Sequence, residues 1–211
     1  MRLLIVRLSA MGDIVHALPL AQNARLAGVT VGWLVERSYA GLLSPAPTID
    51  RLFLADTRRW RRRPLSALTG ARALFRELAD FAPDLAIDAQ GLWKSALLAR
   101  RARAPVVGFA APDRKERASA LLCDHPVRPA GGARHVVDRN LALLEASGIP
   151  VACRAPDATY LLKGPVPEEA RDFVAALPRP FALYHPGARR PEKAWGEENF
   201  AALAAKVLSQ R

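Results

Sequence analysis

Apolar residues along this chain come in short runs that alternate with longer amphipathic stretches. LLIVRL at residues 3–8 is a nearly continuous apolar run and predicts a buried strand. Residues 14–26 read as a helix, less regular at Pro19, which has no N–H to give the ladder. VTVGWLVE at 29–36 predicts a second strand and RLFLA at 51–55 a short third one. Over 65–81, Leu68, Leu74, Phe75 and Leu78 recur near helical spacing. DLAIDAQ at 84–90 predicts a fourth strand ended by Gly91, residues 93–101 a helix, and VVGFA at 106–110 a fifth strand. A helix over 136–146 stops at Gly148.

Strands alternating with helices predict an α/β fold with a mainly parallel sheet. Continuous apolar strands such as LLIV suit a sheet covered on both faces, so the expected architecture is doubly wound and Rossmann-like. No G-x-G-x-x-G follows the first strand, so the dinucleotide fingerprint is missing. Composition changes near residue 150, where PVACRAPDATYLLKGPVPEE is rich in proline. This predicts a first domain over 1–150, then a linker and the start of a second Rossmann-like domain over 151–211. Within the latter, the pattern predicts a short strand at 159–162, a helix at 167–177, strand then loop in FALYHPGA at 181–188, and a helix at 197–208. One strand and two helices do not close a second sheet. The segment is expected either to pack on the first domain or to belong to a longer protein.

A chain of 211 residues, 51% hydrophobic and 24% charged, is ordinary for one or two globular domains. No apolar run approaches the roughly 18 residues needed to span a bilayer. Arg7 interrupts the first apolar run, and Asp13 stands where a signal peptide would need small residues, so a cytoplasmic location is expected. Cys123 and Cys153 form no C-x-x-C motif and read as reduced packing residues. His16, His125 and His135 have no metal-ligand spacing, so neither a metal nor a cofactor is expected. The net charge of +11 points to an anionic partner: nucleic acid, lipid headgroups or a phosphorylated ligand. Most of it is arginine, which an arginine-rich genome would also produce, so charge alone does not choose among them.

In open α/β sheets ligands bind beyond the carboxyl ends of the strands. SAMGD (Ser9 to Asp13), DAQGLWK (Asp88 to Lys94) and HPGARRPEKAW (His185 to Trp195) fall at such ends, and RRWRRR (Arg58 to Arg63) follows the third strand. Asp13 has two readings: a first-turn acid favoured by the helix dipole, or an ionised base that accepts the proton of an attacking hydroxyl. Gly12 would let another molecule approach the backbone, and Ser9 would bind a ligand oxygen or simply form a turn. RRWRRRP reads as a solvated loop, as a phosphate-binding loop in which Trp60 stacks, or as a nucleic-acid contact; no nucleic-acid motif accompanies it. Gln90 offers both a donor and an acceptor, and Gly91 allows a tight turn. Lys94 sits at the end of a helix that disfavours cations, which suggests a nearby anion or a side chain reaching solvent. Gly187 followed by Lys193 suits a phosphate site built from backbone amides and one cation.

Taken in order, SAMGDIVHALP, RRWRRRP, DAQGLWKSA, VGF followed by RKERAS, and HVVDRNLALL resemble the lipopolysaccharide heptosyltransferases of glycosyltransferase family 9, nearest to the heptosyltransferase I pattern. The resemblance runs from Met1 to the end of the chain. It implies a GT-B fold whose N-terminal domain holds a Kdo-bearing lipid A acceptor and whose C-terminal domain holds ADP-heptose. By that resemblance Asp13 is the catalytic base, and Lys193 stabilises the departing diphosphate beside Gly187 and Ala188. Arg58, Arg59 and Arg61 face the acceptor's anionic groups, alongside Ser9, Gly12, Gln90 and Lys94. Such an acceptor lies on the cytoplasmic face of the inner membrane, which suits a basic, peripherally attached protein. The family continues with a DTGLSHL-like donor-binding stretch that has no counterpart here, so the resemblance implies a C-terminally truncated chain with an incomplete donor site. HPGARRPEK is nearer the general family form than that of heptosyltransferase I. Three readings are carried forward: an inverting heptosyltransferase or another family 9 glycosyltransferase, a non-catalytic acceptor half that binds anionic glycolipid, and charge-driven nucleic-acid binding, which the resemblance disfavours.

Overall fold

The computed structural model describes residues 1–62, 64–131, 135–164, 166–187 and 191–209. They fall into two compact units, Met1–Gly164 and Pro165–Arg211. In the first, β1 (Arg2–Val6), β2 (Thr30–Glu36), β3 (Arg51–Ala55), β4 (Leu85–Asp88), β5 (Val106–Phe109) and β6 (His125–Val127) form one parallel sheet in the order β3-β2-β1-β4-β5-β6. The helices are α1 (Met11–Val15), α2 (Leu18–Leu26), α3 (Ala40–Leu43), α4 (Thr57–Arg62), α5 (Pro64–Phe81), α6 (Trp93–Arg100) and α7 (Val136–Ala146). The second unit holds α8 (Glu168–Ala176) and α9 (Glu197–Ser209). The fold class is α/β with a parallel sheet flanked by helices, as the alternating pattern of the sequence predicts.

The unbroken apolar character of β1 follows from its position. Successive side chains on a strand point to opposite faces. Leu3 and Ile5 join a core that α2 and α7 cover through Leu18, Ala21, Leu141 and Leu144. Leu4 and Val6 join a separate core that α5 and α6 cover through Leu74, Leu78 and Leu98. With both faces buried, neither set of positions is free to be polar.

Several elements depart from expectation. The single helix read over 14–26 is two, α1 and α2. Pro19 lies in the first turn of α2, where a missing N–H breaks no intrahelical bond. α1 begins at Met11, which places Asp13 inside a helix. β6 was not foreseen; its Pro126 is tolerated because β6 is an edge strand. The expected strand at 159–162 is a 3₁₀ turn over Thr159–Lys163, opened by Asp157, which accepts the Thr159 N–H at 2.9 Å and its hydroxyl at 2.7 Å. FALYHPG forms no strand among the described residues, since no neighbour pairs with its backbone.

The division between units falls after Gly164 rather than at 150. Buried Asn23 explains why. Its carbonyl accepts the N–H groups of Ala152 (2.6 Å) and Cys153 (2.8 Å), and its amide donates to Cys153 O (2.7 Å). The Tyr160 hydroxyl adds a bond to Leu42 O at 3.0 Å. The proline-rich stretch is thereby strapped to the first unit. No described helix is long and apolar enough to cross a membrane.

Candidate functional site

β1 has β2 on one side and β4 on the other, so the chain connections diverge at the carboxyl ends of β1 and β4. Such a switch point opens a crevice. Gln90 ties its two sides together: its carbonyl accepts the Leu8 N–H at 2.7 Å and its amide donates to Ser9 Oγ at 3.4 Å. Ser9 and Gln90 thus meet at this crevice, hydrogen-bonded to each other.

The turn that presents Gln90 is held from beneath. One oxygen of buried Asp88 accepts the N–H groups of Gln90 (3.1 Å) and Gly91 (3.2 Å). Gly91 has φ +69°, which strains any residue with a Cβ. The other Asp88 oxygen accepts from Arg114 Nη1 at 2.9 Å, and neither side chain is accessible to solvent. Arg114 also donates to Phe109 O, Ser119 Oγ (3.0 Å) and Cys123 Sγ (2.6 Å). It passes Gly108 so closely that a Cβ there would collide with the guanidinium. Burial pushes the Cys123 thiol pKa up, against the lowering effect of Arg114. Both cysteines are free thiols.

Asp13 is the third residue of α1. Its Oδ2 accepts the Ala10 N–H at 3.2 Å and pairs with Arg7 Nη2 at 2.9 Å. Its side chain is 46% exposed against 10% for Arg7, so the carboxylate is anchored from below and open above. Oδ1 has no hydrogen-bond partner among the described residues. Arg7 donates its other terminal nitrogen to Ala89 O. The Gly12 backbone borders open space.

Arg58 to Arg62 do not form a loop: residues 57–62 are α4, and Arg63 lies outside the described residues. Buried Glu36 accepts from Thr57 Oγ1 (2.8 Å) and the Arg58 N–H (3.3 Å), while Asp56 accepts the Arg59 N–H (3.4 Å). Two acids at a helix start satisfy donors that the helix itself leaves unpaired. Trp60 lies against Gly70 of α5, where a Cβ would come within 2.8 Å of the indole nitrogen. A cavity of about 590 Å³ then forms between α4 and the start of α6, lined by Thr57, Trp60, Arg61, Leu92, Trp93, Lys94 and Glu116. The structure therefore brings Arg61 and Lys94 to one cavity, while Arg58 and Arg59 are exposed but do not line it. Glu116 accepts the Trp93 N–H at 2.6 Å.

Arg7, Arg114 and Glu116 were not singled out from the sequence. RKERAS was the available signal for the last two. Arg7 carried none beyond being a charge in an apolar run. In the second unit, Gly187 is exposed and belongs to no helix or strand, exposed Lys193 ends a 3₁₀ turn over Pro191–Lys193, and Ala188 lies outside the described residues. Trp195 and Tyr184 pack edge-on against Phe200 within that unit. Among the described residues no group of acids, histidines or cysteines could hold a metal ion.

The sequence profile of glycosyltransferase family 9 (heptosyltransferase) matches residues 71–211. Lipopolysaccharide heptosyltransferase 1 of Pseudomonas aeruginosa is 28% identical over 225 residues, covering 100% of this chain and 59% of that protein. Lipopolysaccharide heptosyltransferase 1 of Escherichia coli K12 is 31% identical over 211 residues, covering 96% of this chain and 63% of that protein. The chain thus spans about six-tenths of the length of these curated relatives. The solved structure of E. coli heptosyltransferase WaaC with ADP-2-deoxy-2-fluoro heptose matches with a TM-score of 0.73 at 28% identity, covering 98% of this chain and 65% of that one.

Proposed function

The chain belongs to glycosyltransferase family 9, and from that premise we propose that it carries the acceptor side of an inverting lipopolysaccharide heptosyltransferase. The donor is ADP-heptose and the acceptor a Kdo residue of lipid A. The observation that carries this reading is the Asp13 carboxylate: at the switch point, anchored by Arg7 through one oxygen and open through the other. In the reaction the acceptor hydroxyl gives its proton to Asp13 while its oxygen bonds to the anomeric carbon. The bond from that carbon to the ADP oxygen breaks on the opposite face, and ADP leaves with the electron pair. A fixed carboxylate in that position is worth a factor of about 10²–10⁴ in rate.

The remaining residues follow from the charge of the substrates. Arg61 and Lys94, which share a cavity, take the acceptor's anionic groups, with Arg58 and Arg59 on the outer side of α4. Ser9, Gly12 and Gln90 form the rim at which the acceptor hydroxyl is presented. Lys193, with Gly187 and Ala188, meets the diphosphate as its charge develops. No metal or other cofactor enters the scheme. The protein works at the cytoplasmic face of the inner membrane, on a lipid-anchored acceptor, and nucleic acid is not a partner.

The test is transfer of heptose from ADP-heptose to Kdo-lipid A, with the product's anomeric configuration read by NMR. Transfer with inversion is expected. Transfer with retention, or to a different acceptor only, would replace this reading with another family 9 specificity. A second reading is favoured by one observation: the six strands and both cores found among the described residues lie in Met1–Gly164. That unit alone would hold anionic glycolipid without transferring anything. It predicts glycolipid binding with no measurable affinity for ADP-heptose.

A further inference from the structure

A second cavity, of about 580 Å³, opens on the exposed surface of α5 and α6. It is lined by Arg76, Arg100, Arg101 and Arg103 around Phe75, Ala79 and Leu97. Arg100 is committed to Asp124 at 2.6 Å. Arg76, Arg101 and Arg103 form no ion pair among the described residues. The exposed acids of α5, Glu77 and Asp80, do not line the cavity. The Arg101 guanidinium carbon lies 5.4 Å from the centroid of the Phe75 ring, a cation–π contact that holds the charge over the apolar floor. Three uncompensated cations thus converge on an apolar floor.

The cavity does not stand alone. Trp93, Leu97 and Arg101 follow one another at helical spacing of four and share a face of α6. Trp93 is 47% and Leu97 51% exposed. On α5, Leu68, Arg72, Phe75, Arg76 and Ala79 share a face by the same rule. The apolar and basic stripe therefore begins at Trp93, which lines the cavity holding Arg61 and Lys94, and ends among the free arginines.

We propose that this α5/α6 face is the surface by which the protein docks on an anionic phospholipid bilayer, with the arginine cavity receiving a lipid phosphate. The proposal rests on the membrane-facing part of the function above and gives it an address. Charge complementarity selects the occupant: a phosphate for the free guanidiniums, and acyl-chain boundary for Leu97 and Phe75. A duplex nucleic acid would satisfy the cations and leave the exposed apolar residues in water. Docked this way, the same stripe leads from the bilayer to the cavity at Arg61 and Lys94.

The experiment is co-sedimentation of the protein with phosphatidylcholine vesicles, with and without phosphatidylglycerol. The Arg76→Gln/Arg101→Gln/Arg103→Gln variant is compared with a charge-matched control, Arg51→Gln/Arg128→Gln/Arg154→Gln. Wild type and control are expected to bind only the anionic vesicles. The cavity variant should bind them about 100-fold more weakly, at roughly five-fold per arginine near a charged surface. Equal loss in the two triple variants, no vesicle binding by wild type, or displacement by duplex DNA at equal phosphate concentration would each overturn the proposal. Transfer to a soluble, deacylated acceptor should be the same in all three proteins; its absence in all three would count against the proposed function and leave the vesicle result standing.

Discussion

Asp13 satisfies two demands with one carboxylate. It accepts the Ala10 N–H at the start of α1 and still presents an unbonded oxygen outward, because Arg7 beneath it holds the other. Asp13, Ser9 and Gln90 could be picked from the sequence because each follows an apolar run that reads as a strand. Arg7 and Arg114 could not, because what defines them is distant in the chain: Arg7 reaches Ala89, and Arg114 reaches Asp88. The Asp88–Arg114 pair is fully buried and holds the turn that carries Gln90. Removing one member leaves a buried charge unpaired, so Asp88→Ala should destabilise the protein by about 3–5 kcal/mol in urea unfolding. The exposed pair of Arg25 and Asp50 (52% and 32% accessible) should lose no more than ~1 kcal/mol on Arg25→Ala. Equal costs at the two places would contradict the positioning role given to Arg114.

At the scale of elements, α4 was the hardest to read. Five arginines around one tryptophan over residues 58–63 have no apolar periodicity, so the sequence offered a loop. The helix exists because Glu36 and Asp56 arrive from the ends of β2 and β3 to receive its first N–H groups, which is tertiary information. Its placement depends on Gly70. Gly70→Val should push Trp60 off α5, cost about 1–3 kcal/mol of stability and raise the acceptor KM more than it lowers kcat. An unchanged KM would separate α4 from acceptor binding. Asp124 does comparable work at the other end of α6, joining the β5 backbone to Arg100. The Val106 N–H, helped by Arg100, holds its carboxyl below the ordinary carboxylate pKa. A depressed carboxylate stabilises the fold above its unfolded pKa, and that contribution is lost as pH falls through the folded value. Wild type should therefore be more stable than Asp124→Asn at neutral pH, with the gap closing below about pH 4. A gap that stayed constant on acidification would rule out this linkage.

For the molecule as a whole, the alternation of apolar runs and amphipathic stretches was enough to read a parallel sheet covered on both faces. Five of the six strands of the sheet follow from it, because each carries its own short apolar run. The sixth, His125–Val127, is three residues at an edge, too short and too polar to leave a pattern. The end of the first unit was misjudged because proline content marked 150, while the Asn23 bonds that carry the chain to Gly164 leave no local trace. The net charge of +11 pointed to an anionic partner without locating it; the structure gathers some of the cations at the cavity of Arg61 and Lys94 and others at the one on α5 and α6. The central claim is that Asp13 accepts the acceptor proton. The most direct measurement is heptose transfer from ADP-heptose to Kdo-lipid A by wild type and Asp13→Asn, with acceptor affinity measured in parallel. The account predicts a loss in kcat of at least about 100-fold with acceptor affinity unchanged. Transfer by Asp13→Asn at the wild-type rate would contradict it.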